Sequence, residues 1–301
     1  MTTTVSEFIK AKFNGRNLEP LGEGHHSEAY KFEMDGETFV LRTSPKQDHF
    51  QRDKFIAEHW PQLPVPEIKE TGTMEDGAYY AVWEFIEGHV LASGWQFNPG
   101  VELKKVKPSF IENMINISSA SVDLTSGYGK IMAGGTGQYD SWQTFLLGGF
   151  ENPKVKQAIE VQVEAGRFDA DLLAAAEYET RRLLSENPVY ETRHLLHGDY
   201  QPHNVIVKDG MVAAVLDWGN AKYGDFAYDV MWYSMHGPEV ASMDEITAAY
   251  EDSSLDTAGL ETRLRLCKIS ILIAWAMFSN EIGNHDNAQS DQNRLRDLLS
   301  T

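Results

Sequence analysis

His197-Gly198-Asp199-Tyr200-Gln201-Pro202-His203-Asn204, followed downstream by Val215-Leu216-Asp217-Trp218-Gly219, decides how the rest of the chain is read. The first segment places a carboxylate, Asp199, ahead of Asn204, whose side chain offers a neutral oxygen. Between the segments lie two strand-like apolar runs, residues 204–207 and 212–216, with Asp209-Gly210 as a hairpin signal. The apolar run 213–216 ends on Asp217, so a rigid strand would hold that carboxylate. Alone, the first segment reads as a polar turn before a strand. A hairpin carrying Asp199 and Asn204 on one flank and Asp217 on the other is much more specific.

The chemistry this set suits is phosphoryl transfer. The spacing matches H-x-D-x-x-x-x-N, and Asp217 stands where D-F-G follows it in kinases. Asp199 is then the predicted catalytic base that orients an acceptor hydroxyl. Asn204 and Asp217 are the predicted ligands of Mg²⁺, which accepts carboxylate and neutral oxygens. Upstream, Leu21-Gly22-Glu23-Gly24-His25-His26-Ser27 sits between strand-like runs. As an isolated stretch it is only a turn, but in this setting Gly22, Gly24 and Ser27 are expected to bring backbone N–H groups to the phosphates of ATP. Arg42 closes Phe39-Val40-Leu41-Arg42 and offers a fixed fork of donors to phosphate oxygens. Its carboxylate partner is expected on the next helix, as Asp53 or Glu58, with Asp53 preferred. Trp83-Glu84-Phe85-Ile86-Glu87-Gly88 ends a strand, and the backbone of Glu84, Phe85 and Ile86 is expected to meet adenine.

Working outward, a helix is expected near residues 5–13, then a β-β-β-α-β-β outline with a hairpin at Asp35-Gly36 and a helix over residues 50–60. Beyond residue 107 the pattern turns helical, clearest over 110–124, 153–186, 244–250 and 262–280. The expected fold class is α+β. It is a bilobal, protein-kinase-like arrangement with a small antiparallel sheet lobe carrying a helix over residues 1–88, and a larger, mainly helical lobe over 89–301.

Composition narrows the partners. The 301 residues carry a formal net charge of −19, which argues against a phosphate-backbone or anionic-membrane partner and is compatible with a cationic ligand. The single cysteine, Cys267, rules out an internal disulfide framework or a multi-cysteine zinc site. No signal-peptide pattern opens the chain, and the longest apolar run, residues 269–278, is too short to span a bilayer. A cytoplasmic monomer is expected.

These residues resemble the aminoglycoside phosphotransferase family, antibiotic kinases that share the protein-kinase fold. Gly198 and Pro202 in the catalytic loop carry the likeness, as do Leu216-Asp217-Trp218 and Tyr223-Gly224-Asp225-Phe226-Ala227-Tyr228-Asp229. Within the family the chain is most similar to hygromycin B phosphotransferases. That likeness rests on Phe39-Val40-Leu41-Arg42, Leu63-Pro64-Val65-Pro66-Glu67, Gly135-Thr136-Gly137-Gln138-Tyr139-Asp140-Ser141-Trp142 and His194-Leu195-Leu196-His197. The resemblance implies transfer of the ATP γ-phosphate to a hydroxyl of hygromycin B or a similar aminocyclitol. For a cationic acceptor the candidate carboxylates are Asp140, Asp225, Glu239 and Asp244, with Trp232 and Tyr233 as stacking residues. The other reading of Asp225 and Asp229 is structural support of the loop, and of the aromatics, core packing. The stretch Met231-Trp232-Tyr233-Ser234-Met235-His236 departs from the family. A kinase of another metabolite or of a macrolide stays open on the core motifs. A catalytically inactive binding module is disfavoured by the complete set Arg42, Asp199, Asn204 and Asp217. A protein kinase is disfavoured by the lack of Ala-Pro-Glu after Asp217.

Overall fold

The computed structural model describes residues 4–23, 28–186, 193–235, 237 and 239–300. Helix α1 (Val5–Phe13) begins at a reciprocal cap. Thr4 Oγ1 accepts from Glu7 N at 3.3 Å and the Glu7 carboxylate accepts from Thr4 N at 2.9 Å. Strands β1 (Arg16–Glu23), β2 (Glu28–Met34) and β3 (Glu37–Ser44) follow, then α2 (Asp48–His59), β4 (Ile68–Thr73) and β5 (Tyr79–Glu84). They form one antiparallel sheet in the order β1-β2-β3-β5-β4. Asp35 (φ 54°) and Gly36 (φ 86°) close the β2–β3 hairpin with the two positive φ values that a type I′ turn requires.

The alternation of β3 sorts its side chains. Phe39 and Leu41 enter a core with Ile9 of α1, Phe32, Tyr80 and Val82. Val40 and Arg42 therefore point to the other face of the pleat, where a cleft opens. After β5 the chain turns at Gly88 into β6 (His89–Val90), which pairs with a hairpin from far along the sequence. Gly88 has φ 145°, and a Cβ there would lie 2.5 Å from Val207 O, so only glycine lets the two segments approach.

The remainder continues through β7 (Ala92–Ser93), β8 (Gln96–Phe97), α3 (Leu103–Ser119), β9 (Tyr128–Ile131), β10 (Gly137–Tyr139), α4 (Trp142–Leu146), α5 (Gly148–Glu151), α6 (Pro153–Glu164) and α7 (Ala170–Glu186). Then come β11 (His194–Leu196), β12 (Val205–Lys208), β13 (Met211–Val215), β14 (Lys222–Gly224), α8 (Ala227–Met235), α9 (Met243–Glu251), α10 (Leu260–Glu281) and α11 (His285–Leu299). The β12–β13 hairpin turns at Asp209 (φ 51°) and Gly210 (φ 81°), as its sequence predicts. One large core, including Phe110, Met114, Leu195, Tyr200, Trp218, Tyr223, Phe226, Ile246 and Leu272, unites these helices and hairpins.

Two helix expectations change. The one over residues 110–124 starts earlier, at Leu103, and ends at Ser119, leaving Leu124 99% exposed in the turn beyond. The stretch 153–186 is two helices, broken where Gly166 takes φ 68°. Among the described residues no helix is long and apolar enough to cross a membrane.

Candidate active site

The loop between β11 and β12 carries Asp199. His197, at its start, is fully buried. Its Nδ1 accepts the N–H of Asp199 at 3.2 Å, so its Nε2–H donates to Leu216 O at 2.9 Å. Burial pulls the pKa of this imidazole down to about 4, which keeps it neutral and its tautomer fixed. Asp229 of α8 fastens the same loop. Its two oxygens accept the N–H groups of His197 (2.7 Å) and Gly198 (2.8 Å). Burial raises the Asp229 carboxyl to about 6 despite the nearby Lys222 charge.

Asp199 is held from two sides. Trp232 Nε1 donates to its Oδ1 at 2.8 Å, and Asn204 Nδ2 donates to its Oδ2 at 3.1 Å and to its main-chain oxygen at 2.9 Å. His203 Nε2 stands 4.0 Å from Oδ2. Burial pushes the Asp199 carboxyl above its ordinary range, while the Trp232 hydrogen bond opposes that shift. Asp199 therefore has a fixed orientation and an environment that sharpens its proton affinity.

On the other side of Asn204 lies a cleft of about 410 Å³. Val40, Val65, Trp83, Phe85, Ile86, Val90 and Ile206 give it apolar walls, and Arg42, Asp53, Asn204 and Asp217 converge at its polar end. Asp217 follows β13 with φ 60° and ψ 63°, in the left-handed region that non-glycine residues seldom occupy. Asp53 Oδ1 accepts the N–H of Trp218 at 2.8 Å and its Oδ2 lies 3.9 Å from Arg42 Nη1. Burial raises the Asp53 carboxyl to about 7, against the pull of the Arg42 charge. Glu58, the other candidate partner, instead pairs with Lys54 at 3.7 Å.

The Gly-rich stretch is only partly visible. Gly22 lies in β1 opposite Ala29, whereas Gly24 and Ser27 fall outside the described residues. The three adenine candidates all line the cleft. Glu84 is the last residue of β5. Its N–H is taken by Glu67 O at 3.0 Å and its carboxylate accepts Glu67 N at 2.8 Å, because Glu84 still belongs to the sheet. Phe85 and Ile86 come after the last β5 pairing and line the cleft.

Asp199 faces a second cavity, of about 440 Å³, with Gly198, His203, Asn220, Lys222, Tyr228, Trp232, Trp275 and Phe278 around it. Trp232 lines this cavity, where its ring stacks on Tyr228 at 5.9 Å and meets Trp275 at 5.5 Å. Two acceptor candidates are corrected. Asp225 is 3% exposed and is gripped by Arg263, whose Nε and Nη2 donate to its oxygens at 2.7 and 2.6 Å. Its charge is spent inside the protein. Tyr233, also 3% exposed, packs on Phe110 at 5.4 Å and its hydroxyl accepts the N–H groups of Val240 and Ala241. The carboxylates Asp140, Glu239 and Asp244 are on exposed residues and none lines this cavity. Sequence reasoning did not single out Lys222. Its only sequence signal is a lysine in an otherwise apolar and aromatic stretch leading to Gly224-Asp225.

Residues 17–265 match the model of a phosphotransferase enzyme family. Over 97% of this chain and 83% of the relative, the sequence is 30% identical to hygromycin-B 4-O-kinase from Escherichia coli. Among solved structures, a thermostable mutant of aminoglycoside phosphotransferase APH(4)-Ia in ternary complex with ADP and hygromycin B superposes with a TM-score of 0.80. It is 27% identical, covering 99% of this chain and 98% of that one. APH(4)-Ia itself gives the same TM-score at 28% identity, over 98% of this chain and 97% of that one.

Proposed function

The chain belongs to the phosphotransferase enzyme family, and from that premise we propose that it moves the γ-phosphate of ATP to a hydroxyl of hygromycin B or a similar aminocyclitol aminoglycoside. One observation carries the reading. Two cavities lie back to back, and the Asn204–Asp199 hydrogen bond of 3.1 Å joins them. Arg42, Asn204 and Asp217 line one cavity and Asp199 lines the other. A donor phosphate and an acceptor hydroxyl would therefore meet at that bond.

In this reading the apolar walls of the 410 Å³ cleft receive adenine, with Phe85 and Ile86 at its edge, and Arg42 engages phosphate oxygens. Gly22, Gly24 and Ser27 are the residues assigned to the phosphates. Asp53 holds Arg42 and the start of the Trp218 turn. Asn204 and Asp217 both line the polar end of the cleft, and one amide oxygen with one carboxylate suits Mg²⁺, which completes its shell with phosphate oxygens and water. When bound, the ion neutralises charge on the phosphate oxygens. Asp199 orients the acceptor hydroxyl and takes its proton as the new bond forms. Residues 1–88 would act as the nucleotide-binding lobe and 89–301 as the catalytic and acceptor lobe, in a cytoplasmic monomer.

ADP release by the purified protein, with Mg²⁺ and a panel of aminoglycosides and macrolides, tests the assignment. Release dependent on hygromycin B is expected, with none for macrolides. Release with macrolides alone would overturn it.

A further inference from the structure

Lys222 is the one lysine among the described residues that the fold buries, at 8% exposure. It comes from β14, opposite Leu196 of β11, and reaches beneath the loop that carries Asp199. Gly198 makes room for it. That residue has φ 77°, and a Cβ there would lie 2.9 Å from Lys222 Nζ and 2.2 Å from Asn220 O. The ammonium sits 4.0 Å from the ring centre of Tyr228 and 5.7 Å from that of Trp232. Lys222 is absent from the hydrogen bonds and ion pairs formed among the described residues. Burial lowers its pKa to about 8, with the charges of Asp229 and Asp199 opposing.

An ammonium with three donors is costly to bury without an acceptor. Aromatic faces compensate only part of that cost. Its position on the wall of the 440 Å³ cavity, beside Asp199, puts an ammonium without hydrogen bonds among the described residues next to whatever enters there. We propose that Lys222 is an acceptor-binding residue. Its ammonium donates to an oxygen of the acceptor, a hydroxyl or ring ether next to the hydroxyl that Asp199 receives, and it turns away acceptors that present an ammonium at that point. This rests on the acceptor assignment made under the proposed function.

Steady-state kinetics of Lys222→Met and Lys222→Gln with hygromycin B as acceptor tests it. Loss of a charged hydrogen bond should raise the acceptor KM about 10–100-fold in Lys222→Met. Lys222→Gln, which still donates, should lose less, and the KM for ATP should not change in either. Thermal unfolding should find Lys222→Met close in stability to the unaltered protein, since the relief of a buried ammonium without hydrogen bonds among the described residues is offset by what the Asp229 and Asp199 carboxylates lose. A purely structural role predicts the reverse ranking, with the apolar Met tolerated better than Gln in activity as well as stability. That ranking, or an effect confined to the KM for ATP, overturns the proposal. An acceptor KM unchanged in both variants removes this proposal alone. No turnover of hygromycin B by the unaltered protein removes the acceptor assignment and this proposal with it.

Discussion

The two cavities that meet at Asn204 are built in different ways. The larger part of the 410 Å³ cleft comes from regular strands: β3, β5, β6, β12 and β13 supply its walls through their pleat, Arg42 comes from within β3, and Asp217 follows the end of β13. The 440 Å³ cavity is assembled from side chains of a loop, a short turn, β14, α8 and α10, which are brought together only by packing. The first is thus a property of local geometry, and the second of the core behind it. A change on the nucleotide side should stay confined to ATP, whereas the acceptor side should respond to residues scattered over some 80 positions of sequence, from Gly198 to Phe278.

The sharpest way to break that division is Asp199→Asn, which keeps the shape and removes the charge. Loss of general-base assistance should cut kcat about 10²–10⁴-fold, with little effect on the KM for ATP. Kinetics with circular dichroism to verify folding is the check, and a loss seen only in the KM for ATP would move Asp199 to the other cavity. A smaller effect is expected from Arg42→Ala. Removing a charge-assisted phosphate contact should raise the KM for ATP on the order of tenfold, and Arg42→Lys should recover part of it. A rise in the acceptor KM alone would reassign Arg42.

The same division explains what could be read from sequence. Strand alternation and hairpin turns are short-range, so the positions of Arg42, Asn204 and Asp217 followed from a few neighbouring residues. Asp53 rather than Glu58 meets Arg42 because five residues along a helix is a rotation of roughly 140°, so only one of them faces the arginine. Asp225 and Tyr233 looked like ligand residues because what engages them is not local. Arg263 lies 38 positions beyond Asp225. Lys222 was overlooked for a related reason: a lone lysine in a short segment carries no period, and only the pairing of β14 with β11 brings it beneath Gly198. The C-terminal helix α11 escaped notice because it docks through polar contacts. Gln292 receives Asp169 N and donates to Arg167 O, each at 2.9 Å, in place of a continuous apolar stripe.

His197 has a thermodynamic consequence for the whole molecule. One imidazole bridges the amide of Asp199 and the carbonyl of Leu216, next to Asp217, so it spaces the two carboxylate-bearing segments. Protonation would turn its acceptor nitrogen into a donor facing another donor. The unfolded chain takes up that proton near pH 6.5, but the folded protein resists it down to about 4. At this site the unfolded state therefore holds more protons in this window, and the His197 contribution to stability falls as pH drops from 6.5 toward 4, against the opposite contributions of the raised carboxyls of Asp53 and Asp229. The shift corresponds to roughly 3 kcal/mol at full extent. Denaturant unfolding at a series of pH values should show the natural protein losing stability relative to His197→Gln as pH falls from 6.5 toward 4, because the glutamine amide can still donate to Leu216 but takes up no proton. An equal slope in both would place the acid sensitivity elsewhere. Acid should therefore draw down the margin by which this enzyme stays folded, through a group that takes no direct part in the transfer.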